Sequence, residues 1–497
     1  MKPRHYITSV MLALILCSRF TMAEETATAP SKPNIILFYV DDLGWMDLRV
    51  QGSTFYETPN MDRLAAEGMR YTQGYTPHPR CLPARYGVIT GCFPARGGVP
   101  GGKGHLQPDD YTMADALREG GYSTCFVGKW HLTGPHGEKN LPINKGFDVS
   151  IAAGAAGAPP TYFYPYRKKD VSKLKKGWEL GLDKQAICGL DGGKEGEYLT
   201  DRLTDEAIGF IKENKDGPFF LYMSHYGVHT PFQAPKELVD KYEKKLKTMS
   251  FDGPEFRAVD ETTGRGETKL RQDNAVYAAM IDSVDLSLGR IEQTLAELGI
   301  ADNTIIVFTA DNGGLSNRGV KNGKINKRPL ATTNLPLRDG KGWLCEGGIR
   351  EAFMVKWPGV VKPGVLNETD VVGGTDLFPT FLEMAGLSLQ PEHHQDGVSI
   401  VSSLKGGKFE RGKPLFWHSP TSRPYSTGDT DSSAVRLGNY KLIEWYNADH
   451  VELYDLSMDI GEQNNLAEAM PEKTQELRVL LRDWRKEIDA HTREQNW

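Results

Sequence analysis

Before residue 310 the chain is punctuated by four short apolar runs of strand length: Asn34 to Val40, Ser123 to Val127, Phe219 to Met223 and Thr304 to Thr309. Between and after them lie longer segments with apolar residues at helical spacing. These are Pro59 to Glu67, Thr112 to Glu119, Leu199 to Glu213, Leu270 to Leu298 and Asp376 to Ala385, several of them closed by glycine. Strands that are apolar throughout, rather than alternating, are buried on both faces. The pattern therefore predicts an α/β fold with a large, mainly parallel central sheet flanked by helices. Past about Gly406 the periodicity changes. Ser433 to Tyr446 and Val451 to Leu456 alternate as a short antiparallel pair, and Glu472 to His491 carries a core-facing helical stripe that includes Leu477, Leu481 and Trp484. The expected organisation is a main domain over residues 24–405 and a smaller C-terminal subdomain, antiparallel sheet plus helix, over residues 406–497.

Polar clusters stand at the carboxyl end of every apolar run. The first run ends in Asp41-Asp42, the second in Gly128-Lys129-Trp130-His131, the third in Ser224-His225-Tyr226-Gly227-Val228-His229 and the fourth in Asp311-Asn312. Open α/β sheets bind ligands beyond the carboxyl ends of their strands, so four polar clusters in that position can converge on one crevice. Asp41, Asp42, Asp311 and the amide of Asn312 form an oxygen-only donor set suited to a hard cation such as Ca²⁺ or Mg²⁺. Taken singly each cluster has an ordinary reading, a turn or a hydrogen-bonded structural histidine. Only one of His225 and His229 need act in chemistry.

Cysteine chemistry enters at Cys81. Pro83 suits the first turn of a helix, which puts Cys81 at a helix N-terminus, where backbone N–H groups favour anions and lower a thiol's pKa. Arg85, one turn on, adds a fork of donors that suits a tetrahedral oxyanion. Lys341, between Gly340 and Gly342, has backbone freedom around it that would let its ammonium reach an oxyanion. The Gly101-Gly102-Lys103-Gly104 segment lacks phosphate-loop spacing and is set aside.

The N-terminus reads as a leader. Lys2, Arg4 and His5 precede an apolar run from Ile7 to Cys17, and Thr21-Met22-Ala23 offers a cleavage site near Ala23. Residues 1–23 are expected to be a signal peptide and the mature protein to be secreted or periplasmic. The run is shorter than the roughly 20 residues of a bilayer span, and no later segment supplies one, so no stable membrane insertion is expected. With 39% hydrophobic and 25% charged residues the rest is ordinary globular protein. Losing the leader removes Lys2, Arg4 and Arg19 but no acid, taking the formal charge from −6 to −9, which argues against a nucleic-acid partner. Apart from Cys81, the mature cysteines are Cys92, Cys125, Cys188 and Cys345, whose pairing or freedom the spacing leaves open.

Taken together, PNIILFYVDDLG (Pro33 to Gly44), CLPARYGVITG (Cys81 to Gly91), GKWHL, GFD (Gly146 to Asp148), HTP, ADNGG and LYDLSMDIGEQNNLA resemble the formylglycine-dependent sulfatases of the alkaline phosphatase superfamily over nearly all of the mature chain. The resemblance implies an arylsulfatase-like sulfuric ester hydrolase. One calcium ion would be held by Asp41, Asp42, Asp311, Asn312 and position 81, and Cys81 would be oxidised to formylglycine by a maturase. It further implies that Arg85, Lys129, His131, His229 and Lys341 line the sulfate and leaving-group pocket. Asp311 would accept the proton of the attacking hydroxyl, His229 with Lys341 would serve the departing alkoxide, and His131 would take the proton whose loss frees sulfate. Leu82, Ala84 and Thr133 depart from residues common in the family at those positions without touching a chemical group.

The implied substrate is a sulfated carbohydrate or aryl sulfate. The insertion from Ala152 to Asp191, with Tyr162, Tyr164, Tyr166 and Arg167, could offer aromatic stacking surfaces or be a surface loop, and His418 and Arg423 are further candidate substrate contacts. A phosphodiester or phosphonate hydrolase of the same superfamily, and a sulfated-polysaccharide-binding protein without turnover, are the alternatives.

Overall fold

The computed structural model describes residues 32–99, 105–446 and 448–490; the expected leader and the Gly101–Gly104 segment lie outside them. A nine-stranded sheet runs through the centre. In chain order its strands are β1 (Asn34–Val40), β2 (Met69–Tyr75), β3 (Ser123–Gly128), β4 (Val149–Ile151), β5 (Phe219–Ser224), β6 (Thr304–Ala310), β7 (Arg350–Lys356), β8 (Val365–Asn367) and β9 (Val372–Gly373). Across the sheet the order is β8-β2-β7-β6-β1-β5-β3-β4, with β9 also paired to β2. β1 lies parallel between β5 and β6, and β3 lies parallel between β5 and β4. β7 runs antiparallel to both its neighbours, β2 and β6.

All four apolar runs are strands of this sheet. β2 and β7 escaped the periodicity argument. β2 mixes partly exposed polar residues with apolar ones, and β7 opens on Arg350 and Glu351, charged residues that are nevertheless buried.

Helices cover both faces: α1 (Pro59–Glu67), α2 (Cys81–Thr90), α3 (Met113–Glu119), α4 (Leu199–Glu213), α5 (Lys236–Leu246), α6 (Ala275–Glu297) and α7 (Leu377–Met384). The wholly apolar β1 shows why. Ile36, Phe38 and Val40 pack into one core with Leu203 of α4 and Val284 of α6, while Ile35, Leu37 and Tyr39 enter another with Leu117 of α3 and Phe381 of α7. Burying each such side chain contributes about 1.5–3 kcal/mol, which favours strands apolar on both sides over amphipathic ones. α6 begins at Ala275 rather than Leu270, because residues Glu267–Lys269 form a short strand and Asn274 then caps the helix by accepting from the Tyr277 N–H.

The C-terminal region is a four-stranded antiparallel sheet, β10 (Leu415–Ser419), β11 (Ser432–Leu437), β12 (Tyr440–Trp445) and β13 (His450–Asp455), paired in chain order, with α8 (Pro471–Glu487) against it. The stretch read as a single strand from Ser433 to Tyr446 is a hairpin instead. Gly438, with φ 59°, makes the turn that the alternation concealed. Trp417, Trp445, Leu477, Leu481 and Trp484 form its core with Trp343, and Phe416 stacks on Trp484 with ring centroids 4.5 Å apart.

A buried ionic cluster joins this sheet to the central one. Lys441 of β12 bonds Glu346 Oε1 at 2.9 Å and Glu462 Oε1 at 2.8 Å; Arg350 of β7 and the Tyr75 hydroxyl of β2 donate to Glu346 Oε2, and Glu462 Oε2 accepts from the Glu346 N–H. Cys92, Cys125, Cys188 and Cys345 are free thiols. Among the described residues no helix is long and apolar enough to cross a membrane.

Candidate active site

Strand order brings the polar clusters together. In the row β6-β1-β5-β3 four parallel neighbours end side by side, each handing over directly to one cluster: Asp311-Asn312, Asp41-Asp42, Ser224 to His229, and Lys129 to His131. Backbone bonds keep the strand ends in step past the sheet, Lys129 N–H to Ser224 O at 2.8 Å, Asp41 N–H to Gly227 O at 3.0 Å and Asp311 N–H to Val40 O at 3.1 Å. β2 points the same way and leads through residues 76–80 into α2, whose first residue is Cys81. Cys81 Sγ and one carboxylate oxygen each from Asp41 and Asp311 lie within 4.8 Å of one another.

Each of the three carboxylates faces its own cation. Lys129 Nζ bonds Asp41 Oδ2 at 2.6 Å, Lys341 Nζ bonds Asp42 Oδ2 at 2.7 Å, and Arg85 reaches Asp311 Oδ2 through Nε at 3.0 Å and Nη2 at 2.7 Å. Burial opposes ionisation of Asp42, but the charges of Lys341 and its neighbours hold that carboxyl below its usual range. Burial, then repulsion from Asp41, pushes Asp311 up to about 6. At Cys81 burial is outweighed by Lys129 and Lys341, which lower the thiol's pKa.

Arg85 corrects a reading made from its spacing. Its fork does not face an open anion site, for Nη1 donates to the Lys129 carbonyl at 2.7 Å and to Ser224 Oγ at 2.6 Å while Nε and Nη2 hold Asp311. Geometrically it is a clamp on the carboxylates beneath position 81.

The two histidines after β5 separate cleanly. His225 is buried, its Nε2 lies 3.0 Å from Ser287 Oγ, its ring packs on Phe38, and burial pushes its pKa down to about 3. His229 is the one at the site. Its Nδ1–H donates to the Thr230 carbonyl at 2.7 Å, which leaves Nε2 as acceptor, 3.6 Å from Asp42 Oδ2. His131, held by its backbone N–H on Gly154 O, sits with its ring against Gly157; burial and then Lys129 and Arg85 keep it neutral, and its Nδ1 is buried without a partner.

The donor set fits a hard divalent cation. Asp41 Oδ1 and Asn312 Oδ1 are both buried without a hydrogen-bond partner, in a cluster of carboxylate oxygens. Three carboxylates against Arg85, Lys129 and Lys341 are also charge-balanced, so an added dication would leave the pocket positive and receptive to an anionic ester.

Two further expectations change. Tyr162 and Tyr166 are core residues, not stacking surfaces: both are buried, and the Tyr162 hydroxyl donates to the carbonyls of Tyr226 and His229. His418 is buried in β10, its Nδ1 2.6 Å from Ser433 Oγ. Tyr162 and Ser224 support the site without having been singled out for that role, since neither residue type carries a spacing signal; only their positions beside His229 and Lys129 identify them.

With this geometry in place, the comparisons define the class. The sulfatase family profile matches residues 33–387, and that of the N-sulphoglucosamine sulphohydrolase C-terminal region matches residues 339–489. The chain belongs to the sulfatase family and is a sulfuric ester hydrolase of alkaline phosphatase fold. A sulfatase of Formosa agariphila is 30% identical, covering 93% of this chain and 89% of that protein. Human N-acetylgalactosamine-6-sulfatase is 31% identical, covering 84% and 72%. Among solved structures, Ps i-CgsB in complex with k-i-k-neocarrahexaose superposes with a TM-score of 0.70 at 28% identity, over 91% of this chain and 93% of that one.

Proposed function

We propose that the protein is a secreted or periplasmic, calcium-dependent sulfatase that removes sulfate from a sulfated carbohydrate after a maturase has converted Cys81 to formylglycine. The observation that carries this reading is the convergence of Cys81, at the start of a helix, with Asp41 and Asp311 inside 4.8 Å, flanked by Lys129, Lys341 and His229. The carbohydrate class is supported by the relatives, one a sulfatase of N-acetylgalactosamine 6-sulfate by name and one a structure with a bound carrageenan-type hexaose.

Asp41, Asp42, Asp311, Asn312 and the oxygen that replaces Cys81 Sγ would hold the calcium ion, which supplies a Lewis acid that eases deprotonation of an oxygen it binds. Formylglycine supplies a hydrated aldehyde, and thus a nucleophilic hydroxyl with a second hydroxyl on the same carbon. Around position 81 the chain's own groups divide the remaining work. Arg85 and Lys129 fix Asp311 and Asp41, and Asp311, whose pKa burial raises, is the acceptor for the proton of the attacking hydroxyl. Lys341, charged beside Asp42, is placed to stabilise or protonate the departing alkoxide, with His229 Nε2 free to share that proton. His131, kept neutral by burial and by Lys129, is a base for the step that frees sulfate.

The test is the mass of the tryptic peptide Cys81–Arg85 from protein made with a coexpressed maturase, together with sulfate-release assays on the same sample. Aldehyde with release of sulfate from sulfated saccharides is the expected result. Aldehyde with phosphoester but no sulfate-ester hydrolysis would overturn the reading.

A further inference from the structure

Two arginines stand beside the pocket and take no part in the contacts around Cys81. Arg423 heads a tight turn in the loop between β10 and β11, its carbonyl accepting from the N–H groups of Ser426, Thr427 and Gly428. Its own N–H bonds Asp429 Oδ2, the same oxygen that receives Arg80 Nη2, so one carboxylate pins this turn to the residue immediately before Cys81. The turn also packs on the residue after Lys341: a Cβ at Gly342 would meet Thr427 Oγ1 and Asp429 Oδ1 at 2.9 Å, and Trp343 Nε1 donates to Thr427 O.

Arg328 rises from the segment that continues through Ala331, bonded to Leu315 O, to Asn334, whose amide holds Gly314 O. That segment is therefore packed on the loop just past Asn312. Arg328 Nη1 donates to Ser426 Oγ at 2.7 Å, bringing its guanidinium onto the Arg423 turn.

Neither guanidinium has a carboxylate within 4 Å among the described residues, and Arg423 is exposed to solvent. Their electrostatics agree with that placement. Partial burial lowers both pKa values; at Arg423 the charge of Arg80 adds to this while Cys81, Asp429 and Asp42 oppose it, and at Arg328 Asp42 opposes it while Arg423 adds to it. Two like charges set together with no carboxylate bonded to either guanidinium, on loops packed against Arg80 and Gly342, are a destabilising arrangement of the kind that persists at binding sites.

We propose that Arg423 and Arg328 form a second anion subsite, which binds a further sulfate or a uronate carboxylate on the same glycan as the ester being hydrolysed. The inference rests on the sulfatase reading and deepens it, since it makes a polyanionic saccharide the preferred substrate. Planar guanidinium forks match both groups in bidentate geometry, so the subsite selects a charge and its position rather than a sugar.

Isothermal titration calorimetry tests this on the full-length protein with Cys81 unconverted, so that binding is read without turnover. The probes are N-acetylgalactosamine 6-sulfate, N-acetylgalactosamine 4,6-disulfate and a 6-sulfated chondroitin disaccharide carrying its uronate. The expected result is that one or both dianionic probes bind about 10- to 100-fold tighter than the monosulfate, and that the ratio falls to within about threefold in Arg423→Gln and Arg328→Gln. Arg423→Lys should restore part of the ratio, which a merely structural role would not do. Whichever dianion holds the advantage identifies the group bound. Equal affinity of all three probes in the unmutated protein, absence of binding by all of them, or a ratio unchanged in both variants overturns the proposal. Failure of the sulfatase reading is separate and shows as absence of sulfate release from the matured enzyme.

Discussion

Two buried ionic clusters in this molecule differ in one respect. At the junction of the sheets, Lys441, Glu346, Glu462, Arg350 and Tyr75 give every oxygen of both carboxylates a partner. At the strand ends, Asp41 Oδ1 and Asn312 Oδ1 are buried and unsatisfied, and Cys81 and His131 add reactive atoms. A satisfied cluster rigidifies and orients; an unsatisfied one is held together by the surrounding fold and is completed by what it binds. Charge and burial alone do not tell the two apart, whereas satisfaction of the acceptor oxygens does.

The sharpest separation comes from Cys81→Ala, expected to lower sulfate release by more than about 10⁴-fold while leaving the thermal unfolding midpoint within a few degrees. A comparable loss of stability would place Cys81 in the structural class. Chelation of calcium should abolish release reversibly, and adding calcium back should raise the unfolding midpoint with concentration, as a ligand of the native state does; activity indifferent to chelator counts against the donor set. Lys441→Met reverses the pattern. It leaves the buried Glu462 without its cation and Glu346 with Arg350 alone, and about 3–5 kcal/mol of stability should be lost in denaturant titrations, with activity per folded molecule largely kept. Arg85→Lys keeps the charge but loses the fork to Asp311, Ser224 and the Lys129 carbonyl, and kcat is expected to fall about 100-fold. Smallest is Tyr162→Phe, where removing the hydroxyl from the His229 carbonyl costs about 1 kcal/mol, read as a severalfold drop in kcat.

Much of the site was legible in advance because its residues sit at strand ends, where local apolar runs stop, and in short motifs of fixed spacing. β1 and β5 were found within a residue of their ends, and Cys81 was placed at the helix start it occupies. β2 and β7 were not found, since Arg350 and Glu351 give a buried strand a polar opening. The aromatic residues of the insertion were misjudged because a tyrosine's burial depends on what lies across from it, and Tyr162 turns inward to bind backbone.

The sequence alone determined the alternation of buried strands and helices, the functional class through its motifs, and the identity of the residues able to bind a cation or attack an ester. All of these are encoded locally, in periodicity and short spacing. Tertiary structure decided which strand ends are neighbours, so that the Asp42 N–H meets Asp311 Oδ1 at 3.0 Å across 269 positions of chain. It also decided that Arg85 faces protein, that His229 rather than His225 faces Asp42, and that Arg328 bonds the turn headed by Arg423. The physical reason is that strand order and side-chain partners are settled by burial and hydrogen-bond satisfaction over the whole core, a non-local balance that no window of sequence contains.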